Sequence, residues 1–256
     1  MSYAACCVPV APVRLEPDHR SEMVSQLIFG ECCIITIVEK NGWVKIVNKL
    51  DAYTGWCQQS HFQEIDDTQY YVEENDFTAE WVNQVDYNGH QMWVPFGSSL
   101  TAMKNGNVFW RRNTVHYSGK VWNPVTAKRD ARTIKQLAFK FLNSPYLWGG
   151  KSVFGVDCSG FTQSVYKMLN IHLFRDSQQQ ATQGELVAFL QQAHCGDLAF
   201  FDDEEGRIIH VGMLLNANEI IHSAGKVRVD KIDNEGIVHA ETGQRTQKLR
   251  IIRRYF

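Results

Sequence analysis

The sequence of 256 residues contains no apolar run of membrane-spanning length, which excludes an α-helical membrane span. It also lacks a charge excess: 26 Lys and Arg stand against 28 Asp and Glu, for a formal net charge of -2. That balance points away from nucleic acid and from anionic membrane surfaces as partners. No Cys-x-x-Cys or His-x-x-x-His pair occurs, so a structural zinc is not expected; no other metal and no organic cofactor is expected either. The seven cysteines are odd in number and include the vicinal pairs Cys6-Cys7 and Cys32-Cys33. Neither property suits a secreted disulfide framework, and a reducing compartment is the expectation. The N-terminus MSYAACCVPVAPVRLEP has no basic n-region and no apolar core of signal-peptide length. A cytoplasmic location follows as an expectation, with an exported form as the alternative if the chain has been trimmed. Oligomeric state is not readable from the sequence.

What is present centres on Cys158. The stretch from Pro145 to Leu169 reads PYLWGGKSVFGVDCSGFTQSVYKML. The aromatic residues Tyr146 and Trp148 precede a tight Gly149-Gly150 turn, and a short loop then delivers Asp157, Cys158, Ser159 and Gly160. Phe161, Val165, Met168 and Leu169 recur at helical spacing on one face. Cys158 therefore falls at the start of a helix, where unpaired N–H groups and the positive dipole end favour a thiolate over a thiol. The bland alternative is a small cysteine buried in a helix–loop contact. Downstream residues argue against it. His210 lies in the apolar run Ile208–Leu215, which reads as a strand, and His222 lies in a second short strand after the turn Asn216-Ala217-Asn218. A hairpin makes the two histidines neighbours. A helix-start cysteine, a strand histidine and a polar residue on the next strand follow the order of papain-like cysteine peptidases, with one histidine as base and the third group orienting it.

DCSGF preceded by PYLWGG, then CGDLAFF, IIHVGMLL and EIIHSAG, resembles the NlpC family of bacterial cell-wall peptidases over about Ala127 to Phe256. The resemblance implies Cys158 as nucleophile, His210 as general base and His222 as the orienting third member. It further implies hydrolysis of amide bonds in murein stem peptides, commonly the bond from the γ-carboxyl of D-glutamate to a diamino acid.

The rest of the chain reads as β-rich modules. Cys32–Val38, the Asn41-Gly42 turn and the alternating run Trp43 to Val47 form a hairpin pattern. Roughly Val10 to Ile65 resembles a bacterial SH3-like module, a small open β-barrel. The acidic stretch around residues 66–78, with Glu64, Asp66, Asp67, Glu73, Glu74 and Asp76, reads as a solvated linker. Residues 79–123 read as a second, degenerate SH3-like barrel or as an extension of the first. Thr126 or Asp130 caps an expected helix through Ile134, Leu137, Ala138, Phe141 and Leu142, stopped by Asn143-Ser144-Pro145. Strands after helices complete an α+β order. The expected organisation is an SH3-like barrel over 1–65, a second β domain over 66–123, and a papain-like, NlpC-type catalytic domain over 124–256. Cys195 reads as a packed thiol near the site, not a second nucleophile.

Several further residues are candidates for holding substrate. Arg175, in FRDSQQQA, would pair with a substrate carboxylate or with Asp176 or another local acid. Ser177 would donate a hydrogen bond to substrate or cap a helix. Trp148 and Asp176 are further candidates for holding substrate. The resemblance implies that Tyr53, Asp157, Ser159 and a carboxylate of the SH3-like module, with Glu22 as the candidate, grip the free amine of an N-terminal L-alanine. The bland readings are a turn aromatic for Tyr53 and a solvent-exposed acid for Glu22. The combined expectation is a γ-D-glutamyl-L-diamino acid endopeptidase that releases L-Ala-D-Glu from free stem peptides during recycling. Its rivals are an amidase or acyltransferase on the same fold, a hydrolase of intact wall, and a wall-binding protein with an inactive catalytic domain. Lysine and diaminopimelate remain equally open at the cleaved bond.

Overall fold

The computed structural model describes residues 1–73 and 76–256. Glu74, counted above in the acidic stretch, lies outside the described residues. Two compact units emerge: Met1–Thr126 with Trp148–Val153, and Ala127–Leu147 with Phe154–Phe256.

The first unit begins with seven antiparallel strands: β1 (Ser2–Cys6), β2 (Val10–Arg14), β3 (Met23–Ile28), β4 (Cys32–Val38), β5 (Trp43–Asn48), β6 (Thr54–Gln58) and β7 (Phe62–Glu64). Their order is β3-β2-β6-β5-β4-β1-β7. The expected hairpin is there: Gly42 sits at φ +84°, and the alternating β5 pairs with β4 on one side and β6 on the other. Ala4, Ala11, Val13, Leu27, Val44 and Ile46 form its core, and Cys6, Cys33 and Cys57 fill the same interior as small apolar groups.

The stretch expected to be a solvated linker is instead structured. Helix α1 (Asp67–Tyr70) starts where the Asp66 N–H donates to Gln69 Oε1 at 3.1 Å. Tyr70 is buried and stacks on Tyr3 with ring centroids 4.3 Å apart. Apolar burial of one residue per turn therefore outweighs the acidic surface of this segment. Next come β8 (Phe77–Thr78), β9 (Val82–Tyr87), β10 (His90–Pro95), β11 (Asn107–Trp110), β12 (Asn113–His116) and β13 (Val121–Trp122). Four of them form a sheet in the order β10-β9-β12-β11, and β8 pairs with β13. Val85, Val94, Val108, Trp110 and Val115 share one core with Ala5, Phe29, Cys32 and Ile65 of the preceding strands.

The second unit opens with helix α2 (Ala131–Phe139). Asp130 caps it by accepting from the Thr133 N–H at 2.8 Å. The expected helix runs on through Leu142, but the chain leaves α-geometry at Phe139. Lys140, Phe141 and Leu142 donate three residues back, and Asn143 turns over at φ +65°. Helix α3 (Cys158–Lys167) follows. The sequence suggests one apolar face, yet all ten residues of α3 are buried. It packs against α2, the short helix α4 (Ser177–Gln180) and two strands, and this enclosure also buries its polar side.

Six strands close into an antiparallel barrel: Leu198–Asp202, Ile208–Asn216, Glu219–Ala224, Lys226–Asp233, Gly236–Val238 and Arg245–Arg254. Closure comes from the long last strand, which pairs with Leu198–Asp202 through one half and with Gly236–Val238 through the other. Glu185–Val187 adds to its outer edge. The interior holds Ala199, Phe201, Leu214, Ile220, Ile232, Ile237 and Ile252.

Candidate active site

Cys158 is the first residue of α3, and Asp157 is its N-cap, accepting from the Gly160 N–H at 2.6 Å. Asp is among the preferred caps because its side-chain oxygen satisfies an N–H that the first helical turn leaves open. Cys158 is 8% exposed. Its sulfur takes hydrogen bonds from the backbone N–H groups of Ser159, within the helix start, and of Val211 on the adjoining strand. That strand is Ile208–Asn216, and the residue before Val211 is His210.

Strand register then assembles the histidines. Gly212 lies directly opposite His222, and His222 lies opposite Arg228 on the next strand. Residues two apart on a strand share a face. His210, Gly212, His222, Arg228 and Asp230 therefore line one side of three neighbouring strands. His210 Nε2 is 2.8 Å from His222 Nδ1, and His222 Nε2 is 2.9 Å from Asp230 Oδ2. Both rings are enclosed, at 6% and 1% exposure. Phe201 of the other neighbouring strand packs against the His210 ring, with centroids 5.7 Å apart. Gly212 makes room for this. A Cβ there would stand 2.8 Å from the His222 Cβ and 2.7 Å from Ile220 Cδ1.

Burial sets the protonation of the pair. It pushes the Cys158 thiol up to about 12, with Asp157 adding to the rise. The Val211 N–H, the Arg175 guanidinium and the Ser159 N–H pull the other way without offsetting it. Burial also lowers His210 to about 3, with His222 contributing. Burial thus works against the thiolate that the helix-start N–H groups favour. His222 is lowered by burial too, against the opposing pull of Asp230. Burial by itself would raise Asp230, but hydrogen bonds from His222, the Ala240 N–H and Arg228 outweigh it and hold that carboxyl well below its usual range.

Asp157, Ser159 and Arg175, named above as candidates for holding substrate, are brought together, but with one another. Arg175 is 2% exposed. Its Nη1 donates to Asp157 Oδ1 at 3.1 Å and to Ser159 Oγ at 2.9 Å, while Nη2 reaches Asp157 Oδ2. Arg175 thus spends these N–H groups on Asp157 and Ser159 and not on a substrate carboxylate. A buried guanidinium takes the nearest desolvated carboxylate, and that is the helix cap. Asp176 occupies the N-cap position of α4, with its carbonyl accepting from the Gln180 N–H at 2.9 Å. Ser177 is the first helical residue and not the cap. Gln180 of the same stretch is buried. It donates to the carbonyls of Ser159 and Phe174 and accepts from Thr162, which fastens this segment to α3.

In the first unit, Glu22 accepts from Trp148 Nε1 at 2.6 Å, so neither is a lone surface group. Gly149 makes the turn after Trp148 at φ +75°, with its α-carbon pressed to the Met23 carbonyl, where a Cβ would stand 2.3 Å away. Tyr53 is half-buried at the end of a turn that Asp51 Oδ1 closes by accepting from the Tyr53 N–H at 3.0 Å. Cys195 belongs elsewhere. Its neighbour Gly196 accepts from the Tyr166 hydroxyl, near the far end of α3, and its own sulfur approaches the Ala131 carbonyl at 3.8 Å. The expectation that it packs near the site is corrected by the length of α3, along which the eight steps from 158 to 166 rise roughly 12 Å.

Sequence reading missed three neighbours. Asp230 and Arg228 extend the histidine pair, and their only signal was alternation along Lys226–Asp233. Tyr146 is the third. Its hydroxyl is pushed up to about 12 by burial, then by Cys158 and Asp157 beside it.

Comparison with known proteins agrees with this geometry. The NlpC/P60 family pattern matches residues 143–246, and that of the bacterial dipeptidyl-peptidase SH3 domain matches residues 13–62. A γ-D-glutamyl-L-lysine dipeptidyl-peptidase of Bacillus subtilis (strain 168) is 31% identical over 216 residues, covering 78% of this chain and 71% of that protein. One of the same name from Bacillus cereus is 28% identical over 266 residues, covering 89% and 76%. The crystal structure of an NlpC/P60 family protein from Bacillus cereus shares the fold at a TM-score of 0.82, with 20% identity and 99% of each chain covered. With a buried cysteine at a helix start, a histidine pair on the adjoining strands and this agreement along the chain, the protein belongs to the NlpC/P60 family and is a cysteine peptidase with an N-terminal SH3-like domain.

Proposed function

We propose that the enzyme hydrolyses the γ-D-glutamyl–diamino acid bond of murein stem peptides whose N-terminal L-alanine is free, releasing L-Ala-D-Glu, and that it serves peptide recycling. The observation that carries this reading is the Cys158 sulfur bonded to the N–H of Val211, the residue after His210, beside the His210–His222 couple, in a chain whose relatives are named γ-D-glutamyl-L-lysine dipeptidyl-peptidases. The enzyme then works as an acyl-transfer catalyst. His210 takes the Cys158 proton as the sulfur attacks the amide carbonyl carbon. It returns that proton to the leaving amine, and it later activates water against the thioester. Burial disfavours the charged form of either group, so the proton is passed within the pair and not lost to solvent. Backbone N–H groups at the start of α3 receive the oxyanion.

The test is mass spectrometry of products from L-Ala-γ-D-Glu-L-Lys, its diaminopimelate counterpart and the N-acetylated form of each. Cleavage of the free peptides alone is the expected result. Equal cleavage of acetylated peptides would discard the free-amine requirement and favour work on intact wall. Refusal of every peptide would discard the substrate class.

A further inference from the structure

We propose that Asp230, held by Arg228, is a positioning residue that sets the tautomers of His222 and His210 and so leaves His210 Nδ1 as the nitrogen that receives the Cys158 proton. The inference rests on the reading of Cys158 and His210 as nucleophile and base. It adds a fourth and a fifth residue to that reading and assigns a specific atom to the base.

The argument follows the hydrogen bonds inward from Asp230. Its Oδ2 accepts from Arg228 Nε at 2.8 Å and Nη2 at 2.6 Å, and its Oδ1 accepts from the Ala240 N–H at 2.8 Å. Those donors leave the group no reason to carry a proton of its own, and an ionised carboxylate only accepts. His222 Nε2, 2.9 Å from Oδ2, must therefore be the N–H nitrogen. A neutral imidazole has one N–H, so His222 Nδ1 carries a lone pair. His210 Nε2, 2.8 Å from that lone pair, must in turn donate. The proton of His210 is thereby fixed on Nε2, and Nδ1 is left basic. The opposite chain of tautomers would set the His222 Nε2 lone pair against the Asp230 carboxylate in a site closed to water, which disfavours it.

The consequence for the reaction is balanced. As the S–C bond forms, the Cys158 S–H bond breaks and its proton goes to His210 Nδ1, while the carbonyl π pair moves to oxygen. The resulting imidazolium keeps its Nε2–H on His222, whose other side faces Asp230. Among the described residues, the charged and titratable groups that act on His222 are His210, Asp230, Arg228 and His239. Asp230 is thus the one carboxylate among these neighbours, and it lies behind His222 instead of touching His210 or the substrate.

The first test uses the wild-type enzyme. Long-range 1H–15N NMR of 15N-labelled imidazoles at neutral pH is expected to find both His210 and His222 protonated on Nε2. A His210 protonated on Nδ1 would overturn the proposal without any variant. The second test is Asp230→Asn, whose amide group can donate to His222 Nε2 and reverse the chain. The expected result is a shift of the His210 proton to Nδ1 and a loss of about 10³- to 10⁴-fold in kcat on L-Ala-γ-D-Glu-L-Lys, by analogy with the wrong-tautomer effect in Ser-His-Asp sites. KM should stay within about threefold, since the amide touches no substrate. Alkylation of Cys158 by iodoacetamide, which needs no peptide, should slow as well. Wild-type tautomers and wild-type kcat in Asp230→Asn would overturn the proposal. If the wild-type enzyme shows the expected tautomers and alkylation slows in the variant while no stem peptide is cleaved, the substrate reading fails and the positioning role stands.

Discussion

Two buried carboxylates of the second unit, each gripped by an arginine, do different work. Asp157 caps α3 and takes Arg175 on both of its oxygens, and Ser159 is drawn into the same cluster. Every bond there ends on a group that neither gives nor takes a proton during the reaction. Asp230 takes Arg228 on one oxygen and the Ala240 N–H on the other, and it passes its remaining capacity to an imidazole that titrates. The same pair of residue types thus serves as a clamp in one place and as the end of a proton-orienting chain in the other. What separates them is the neighbour left over once the arginine is satisfied.

The sharpest way to separate the two is to remove each arginine-side or histidine-side partner in turn. Arg175→Met should cost about 3–5 kcal/mol of unfolding free energy in denaturant titration, because it strands a buried carboxylate. His210→Ala should lower kcat by about 10²- to 10⁴-fold, as loss of a general base does, and should also lower the denaturation midpoint, since it empties a buried site packed on Phe201 and bonded to His222. A His210→Ala enzyme of near-normal kcat would break the comparison at its root. Gly212→Ala sits between these effects. Its new Cβ meets the His222 Cβ and Ile220, so we expect a loss of about 1–3 kcal/mol in stability together with a lowered kcat.

The pH dependence of stability distinguishes the two sides more gently. His210 is lowered from 6.5 to about 3 by burial, so the unfolded chain binds the extra proton in that window. Stability is then fully present above about 6.5 and falls as pH drops toward about 3. Thermal melts across this range should show the decline, and His210→Gln should flatten it. A slope unchanged by the substitution would reassign the effect to other groups. The smallest expected effect belongs to Cys195→Ser, which touches the far end of α3 and should leave kcat within about twofold in a peptide-release assay.

Much of the scaffold was legible before any coordinates. The Asn41-Gly42 hairpin, the Asp130 cap and the strands bearing His210 and His222 follow from turn chemistry and alternation, and the α+β order follows from their sequence. Less legible was anything that depended on enclosure. α3 carries Thr162, Gln163, Ser164 and Lys167 on what periodicity marks as its solvent side, yet all are buried. Gln180 is likewise a buried fastener between α4 and α3, a role that no local pattern signals.

The sequence by itself determined where each chemical group lies along the chain: Cys158 at a helix start, the two histidines on successive strands, and a carboxylate before the cysteine. Local propensity and spacing act over a few residues and need no partner, so they are readable one segment at a time. The tertiary structure alone decided which groups face one another. The register placing Gly212 opposite His222 and His222 opposite Arg228 is a property of three strands together. Closure of the barrel and enclosure of α3 set the desolvation that pushes the Cys158 thiol up and binds Arg175 to Asp157. Pairing and burial are long-range and mutual, and no single segment carries them.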